Sequence, residues 1–547
     1  MNGVGRPLAS LLGLAARLAR EWWPQLAALA AACGVVATTI AGALAVGGAM
    51  QASLRTLALE RLGRIDVALL GEDFFTAGLA AGLVPGEGGP RQVVPAIVMP
   101  AVVTRADGTA ARITLLACDD PAGLGFDPAP PAVEPGGLLV NGPLAEALDL
   151  AAGEPLILRL PSRSSVPADS PLGRRTGESV GRRLTVTALL PPQGIGQFSL
   201  RPTQATAPLA ITSLREARRM LRRDDATNAL FVVGMPPAAD ARAWLRARLS
   251  PTLADYGLAI EPAGEEPPSL RLVSRRLILP AAVDDAAAAV LGPLGGRQTL
   301  TFLANAIGPV TAGAARDRSS EPSIPYSTVL GIDTTTLPVG DLVDDRGEAL
   351  SVPDDDGIII DRWMADDLAA QGRPVASGDR MRLEFFEPET IHGQVRETSA
   401  ELTITGIAAM QGAATARGVV PEVEGITDED SIADWDPPFP FDAGRVRTTP
   451  PHDEDDRYWK DHGPTPKAFV SLATARRLAA GRFGNTTAWL VPREKVTAAE
   501  AIAGQLAGAI TPEEAGLRIV PLRAEAVAAA TGSTPFGSLF LALSSFV

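Results

Sequence analysis

The sequence predicts an α+β, membrane-anchored chain, with two tandem, duplicated mixed α/β domains outside the cytoplasm behind one N-terminal transmembrane helix. Three observations carry that prediction. The chain has 547 residues, too many for a single core. No charged residue occurs between Trp22 and Leu54. The string GLLVNGPLAEALDLAAG from Gly137 returns in altered form as GIIIDRWMADDLAAQG from Gly357.

The first element is short. Leu8, Leu11, Leu12, Ala15, Leu18 and Trp22 recur at helical spacing, with Ser10, Gly13, Arg17 and Arg20 on the other face. Residues 1–21 therefore read as an amphipathic helix lying on the inner leaflet of a membrane. Residues 22–52 are long enough to cross the roughly 30 Å hydrocarbon layer. Arg6, Arg17 and Arg20 precede the span and place the N-terminus in the cytoplasm. A cleaved signal peptide is the competing reading, with small residues around Ala49 to cut at, but the polar leader and the apolar run are both long for one. Ala30, Gly34, Thr38 and Gly42 repeat every fourth residue, a spacing that lets membrane helices approach closely. The helical pattern then continues, because no glycine or proline interrupts Met50–Leu62. A helix from Leu26 to Leu62 is on the order of 55 Å long, so a stalk of roughly 25 Å projects beyond the hydrocarbon. It runs into a strand at Ile65–Leu70 with only Gly63 and Arg64 between.

The middle of the chain follows one order of elements twice. GLLV pairs with GIII as a buried strand, followed by an amphipathic helix in each copy. GEPLILRL from Gly153 matches GDRMRLEF from Gly378, and RLTVTAL from Arg183 matches ELTITGI from Glu401. PLAITSLREARRML from Pro208 matches KAFVSLATARRLAA from Lys467. Ser213 and Glu216 form a capping-box pattern whose counterpart at Ser471 lacks the glutamate. NALFVV from Asn228 matches NTTAWLV from Asn485, and the closing strands LAIEP and LRIVP begin at Leu258 and Leu517. Front sections precede both, with a hairpin turn at Asp107-Gly108 in the first and RQTLTFLANAIG and SIPYSTVLGID in the second. The expected domains are 53–295 and 296–530. Gly412–Pro466, acidic and proline-rich, reads as a surface loop. The run 536–547 reads as the start of a truncated second transmembrane helix, and the sequence as a fragment of a longer chain.

Composition removes some function classes. The net charge is −14 and only three lysines occur, which argues against a nucleic-acid partner. Cys33 and Cys118 make neither a disulfide framework nor a zinc site. No phosphate-cradling G-x-x-x-x-G-K-[ST] loop, G-x-S-x-G elbow, H-E-x-x-H or C-x-x-C is present, so no catalytic, cofactor-binding or metal residue is assigned and no enzyme is expected. The acidic run between His452 and His462, with Asp453, Glu454, Asp455, Asp456 and Asp461, has the ligand types for a divalent ion, but such runs are usually solvated faces. Trp435 and Trp459 are expected to pack the loop down.

Several strings carry a resemblance. FSLRPTQ from Phe198, LTFLANAI from Leu300, SIPYSTV from Ser323, DWDPPFPFD from Asp434, TPKAFVSL from Thr465 and PFGSLFLALSSF from Pro535 resemble the FtsX-like permease subunits of bacterial ABC transporters with MacB-like extracytoplasmic domains. These are scaffold strings, so no active-site residue follows from them. The resemblance implies a bacterial plasma-membrane permease and a separate ABC ATPase subunit. It also implies a second permease subunit, in a homo- or heterodimer, and contact with membrane lipid. The spans of such proteins relay ATP-driven motion to outer domains for export, lipoprotein release or a similar task. The competing class is a membrane-anchored extracytoplasmic binding or adhesion protein without an ATPase.

Overall fold

Two helices open the chain, α1 (Gly5–Glu21) and α2 (Trp23–Glu60), broken at Trp22 where the backbone leaves the helical region before Pro24. The computed structural model describes residues 5–531 apart from 87, 162–179, 202–204, 237–238, 311–321, 388–395, 438, 482–483 and 497. The apolar run at 536–547 lies outside the described residues. Helix α2 has 38 residues, about 57 Å at 1.5 Å per residue, and is apolar and long enough to cross a membrane. It passes the expected span end at residue 52 without a break.

The first sheet uses β1 (Ile65–Thr76), β2 (Gln92–Thr104), β3 (Ala110–Ala117), β4 (Gly137–Asn141), β5 (Pro155–Leu160), β6 (Val180–Leu190), β7 (Leu209–Thr212) and β8 (Ala226–Val233). A one-turn helix, α3 (Gly78–Ala81), follows β1, and the next strand, β9 (Leu258–Glu265), leaves the sheet. The second sheet uses β10 (Pro268–Ser274), β11 (Arg297–Pro309), β12 (Ile324–Ile332), β13 (Gly357–Asp361), β14 (Arg380–Phe386), β15 (Glu397–Ala408), β16 (Ala468–Ser471) and β17 (Ala488–Pro492). The last strand is β18 (Leu517–Val520). A two-residue hairpin, Thr336–Leu337 with Gly340–Asp341, stands apart.

The first sheet has the order β18-β1-β8-β2-β3-β7-β4-β6-β5, and β5 returns to β2 to close a six-stranded barrel. The second has the order β9-β10-β17-β11-β12-β16-β13-β15-β14, and β14 returns to β11. Each strand of one sheet therefore has a counterpart nine places along in the other. The registers agree too. Gly137 pairs with Thr185 and Gly357 with Thr403, each followed by an irregularity one residue on. Leu139 pairs with Ile211, and Ile359 with Phe469. Strands β2 and β11 each have 13 residues because each serves both the flat part and the barrel.

Local chemistry explains the repeated glycine. A Cβ on Gly137 would lie 2.9 Å from Thr187 Cγ2, and one on Gly357 would lie 2.8 Å from Thr405 Cγ2. Each strand ends in a helix cap. Asn141 accepts from the Leu144 amide at the start of α4 (Gly142–Leu148), and Asp361 from the Met364 amide at the start of α8 (Arg362–Ala370). Helix α5 (Leu214–Leu221) is capped by Ser213, and α10 (Leu472–Ala479) by Ser471. The Glu216 carboxylate turns to Arg182, 2.5 Å away, and to Arg219, so the Ser213 capping is one-sided. Val103, Leu115, Leu138, Leu158 and Val186 fill the first barrel under Leu144, Leu214 and Met220. Phe302, Val329, Ile358, Leu383 and Ile404 fill the second under Met364 and Leu368. Full burial of such a side chain contributes about 1.5–3 kcal/mol.

The closing strands are exchanged. Helix α6 (Ala241–Arg248) packs Leu245 on Val67, Leu69 and Val232 of the first sheet, yet β9 after it pairs with β10. Helix α11 (Ala499–Ala509) packs Leu506 on Leu272 and Trp489 of the second sheet, yet β18 after it pairs with β1. The crossing segments meet where the Tyr256 hydroxyl donates to the Ile510 carbonyl oxygen, 3.4 Å away. Strand β10 and helix α7 (Ala281–Leu291), absent from the sequence reading, open the second sheet, and both fall within the interval 53–295. The segment Gly412–Pro466 is more than a surface loop. It holds α9 (Glu454–His462) and several single turns around its own apolar cluster of Ile432, Trp435, Phe439, Val446 and Trp459.

Candidate functional site at the stalk junction

Four residues, Arg61 to Arg64, separate α2 from β1. They are tied down on both sides. The Arg64 amide donates to the Leu124 carbonyl, and the Gly234 amide donates to the Arg64 carbonyl. Gly63 has a φ of +56°, and a Cβ there would lie 2.8 Å from the Leu124 oxygen. Leu62 and Ile65 are buried against Leu124, Phe126 and Phe231.

A second helix joins this corner. Strand β18 lies antiparallel to β1, with Ala68 opposite Val520, and leads into α12 (Leu522–Thr531). Leu522 and Ala526 enter the same apolar cluster as Leu62 and Ala58. Arg523 donates to the Gly63 carbonyl at 3.0 Å, and its Nε lies 3.1 Å from Asp66 Oδ1. The other oxygen of Asp66 accepts from the Met235 amide at 2.7 Å. A cleft of about 570 Å³ opens between the helices, walled by Leu54, Leu57 and Ala529 and rimmed by Arg61, Arg201 and Glu525. Helices α2 and α12 are thus joined to adjacent strands of one sheet. The sequence showed the α2 stalk. It gave no sign of α12, because the partner strand of β1 lies 450 positions away in the chain.

The acidic run is a structural clamp. Residues 454–462 form α9, in which Asp455 and Asp456 are buried. Arg447 grips Asp455 through Nε at 3.0 Å and Nη2 at 2.6 Å, and Asp367 through Nη1 and Nη2, both at 2.9 Å. Burial works against this guanidinium's charge, but the Asp455 and Asp367 hydrogen bonds outweigh it and hold the proton more firmly than usual. Asp456 pairs with Lys460, and Asp453 with Arg457. Among the described residues, no group of three or more His, Cys, Asp or Glu side chains is arranged to hold an ion. Trp435 and Trp459 pack edge to face with centroids 4.7 Å apart, under the insert.

Beside this clamp lie two buried titratable groups absent from the sequence reading, Lys467 and Asp361. The Lys467 ammonium sits 4.6 Å from the Trp363 ring and 4.3 Å from the Tyr458 ring. Burial pushes its pKa down. Asp361 accepts from the Tyr458 hydroxyl at 3.3 Å and is pushed up to about 7 by burial. The first barrel has Asn141 and Leu209 at these positions, and the Asn141 amide donates to the Gly196 and Ala207 carbonyls. One legible signal was the scarcity of lysine, since Lys467 is one of three in the chain.

No family model and no curated protein matches the sequence. Among solved structures, the extracellular domain of the noncanonical ABC-type transporter YknZ from Gram-positive bacteria is similar over 34% of this chain and 90% of that one, at 13% identity and a TM-score of 0.22. A domain assigned to a permease protein of Porphyromonas gingivalis is similar over 34% of this chain and 80% of that one, at 14% identity and a TM-score of 0.21. Scores this low leave the function to be argued from the chain's own geometry.

Proposed function

We propose that this chain is the permease subunit of a bacterial ABC transporter, relaying ATP-driven motion from a separate ATPase to barrels outside the plasma membrane. The observation that carries the reading is the continuity of α2 into β1. A helix of 38 residues enters a sheet through a four-residue turn pinned by backbone hydrogen bonds and by Arg523. A tether would need no such fixation. A relay does, because a flexible joint would absorb the movement. The N-terminus faces the cytoplasm, α1 lies on the inner leaflet, and a second permease subunit completes the membrane unit. Nucleotide chemistry belongs to the ATPase, and this chain supplies no phosphate-binding loop. The matching strand orders and registers support an internal duplication followed by exchange of the closing strands. The exchange also gives the second barrel a rigid mount. It hangs on β9 and on the return of β18, not on a linker.

The test is a flexible Gly-Ser insertion after Leu62 in the assembled transporter. Folding and membrane insertion are expected to persist while ATP-driven function is lost. Undiminished function after that insertion would reduce α2 to a tether and end the relay reading.

A further inference from the structure

The two barrels differ on one outer wall. In the first barrel, Pro100, Val102, Thr104, Arg112, Thr114, Ile157, Arg159, Gly181 and Arg183 share that wall. Val102 is opposite both Arg112 and Arg159, Arg159 opposite Gly181, and Ile157 opposite Arg183. Alternation confirms the face, because Ala101, Val103, Ile113, Leu158 and Leu184 point inward and are buried. The Arg159 side chain lies over Gly181. No carboxylate stands among these wall positions. Among the described residues, no ion pair is made by Arg112, Arg159 or Arg183. Neighbouring strands are about 4.8 Å apart, so the Arg159 stem rises about 10 Å from that of Arg112, two strands away, and about 8 Å from that of Arg183 on the adjacent strand.

The same wall of the second barrel is covered at one end. Leu303 stands where the first barrel has Pro100, and Tyr326 where it has Arg112. Both are buried under the insert, against Val423, Ile426, Trp435 and Phe439. The Tyr326 hydroxyl accepts from the Asp442 amide at 2.7 Å. Glu384 and Glu401 hold the places of Arg159 and Arg183. The covering segment, Gly412–Pro466, carries 13 Asp and Glu against five Arg and Lys. The fold therefore already seats an acidic, aromatic-anchored polypeptide on this wall once. Among the described residues no such segment covers its counterpart on the first barrel, which carries the complementary charge.

Lipid headgroups do not suit the arginine wall. Gln92 and Ile65 are both opposite Val233, so β2 and β1 start level, and both run away from the stalk helix. Val102 lies ten residues further along β2, roughly 33 Å beyond the end of the stalk. We infer that the wall bearing Arg112, Arg159 and Arg183 is a docking surface for an acidic polypeptide segment of an extracytoplasmic partner protein.

The probe is a labelled peptide with the sequence of residues 422–436, EVEGITDEDSIADWD, titrated against the intact chain in nanodiscs and read by fluorescence anisotropy. Binding is expected, weakening with salt. The combined variant Arg112→Ser, Arg159→Ser and Arg183→Ser should weaken it at least about tenfold. The changes are on the barrel exterior, and an unchanged melting curve checks the fold. Arg215→Ser on the exposed side of α5, with Arg222→Ser just past its end, should leave binding unchanged. A peptide with every Asp and Glu amidated should not bind. Equal losses in the two variants, or binding of the amidated peptide, would overturn the assignment. Dextran sulfate binding tighter than the peptide through the same arginines would assign the wall to an anionic polymer instead. Self-association lost in the triple variant would assign it to a second copy of this chain. Either result would also overturn the partner reading.

Discussion

Replacing Arg447 by methionine tests the claim that the acidic run is a clamp. The substitution keeps much of the stem and removes four charge-assisted hydrogen bonds to two nearly inaccessible carboxylates, Asp367 and Asp455. Each carboxylate keeps one further donor. Asp455 retains the backbone amide of residue 447 at 2.9 Å, and Asp367 retains Gln371 Nε2 at 2.8 Å. Two buried negative charges then lose the guanidinium that bonds both, and the longer-range attraction of Lys467 is what remains. Removing one side of a buried ion pair costs about 3–5 kcal/mol, and Arg447 is only 23% exposed, so little of that is screened. Hydrogen exchange of the α9 amides reads the local opening energy, and chemical denaturation reads the whole second unit. The loss should be about 3–5 kcal/mol in α9. Adding Asp367→Asn and Asp455→Asn to Arg447→Met should recover most of it, because the penalty belongs to the stranded charges. A single-variant loss below about 1 kcal/mol, the size of a surface pair, would refute the clamp. So would a triple variant no better than the single one.

Asp361→Asn should stabilise the second unit above pH 7. The carboxyl's folded pKa, about 7, lies above its ordinary 3.8, so ionisation opposes folding above pH 7 and that opposition fades as pH falls toward 4. The advantage of Asn over Asp should shrink by about 1.4 kcal/mol per pH unit across that window in denaturant melts, and a pH-independent difference would contradict it. Asn141 at the matching position of the first barrel shows that an amide can cap this helix. The strand exchange predicts which cysteine pairs oxidise within one chain. Ala68→Cys with Val520→Cys should form a disulfide, as should Ile260→Cys with Leu272→Cys, while Ala68→Cys with Ile260→Cys should not. Mass spectrometry of the linked peptides decides it.

Much of the fold was legible because alternation and punctuation are local. GLLVN and GIIID announce buried strands, Asn141 and Asp361 cap the helices that follow, and Asp107-Gly108 turns a hairpin. The stalk was legible because nothing between Met50 and Leu62 breaks a helix. The exchange of β9 and β18 was not, because LAIEP and LRIVP read the same whichever edge they join. Strand β10 was not legible because SLRLV sits between a proline pair and two arginines, a setting that favours a turn. The acidic run misled for a related reason. Its counter-ion is Arg447, before the helix, and the second carboxylate is Asp367, 80 positions away in the chain.

The relay itself is tested most directly by fastening its two helices together. Ala58 on α2 and Ala526 on α12 enter one apolar cluster at the foot of the first barrel. With Cys33 replaced by alanine, Ala58→Cys and Ala526→Cys are oxidised in the assembled transporter, and ATP-driven transport is measured before and after reduction. The relay account predicts transport that is blocked in the oxidised state and restored by reductant, with ATPase association intact throughout. Transport that proceeds at the same rate with the disulfide closed would contradict it.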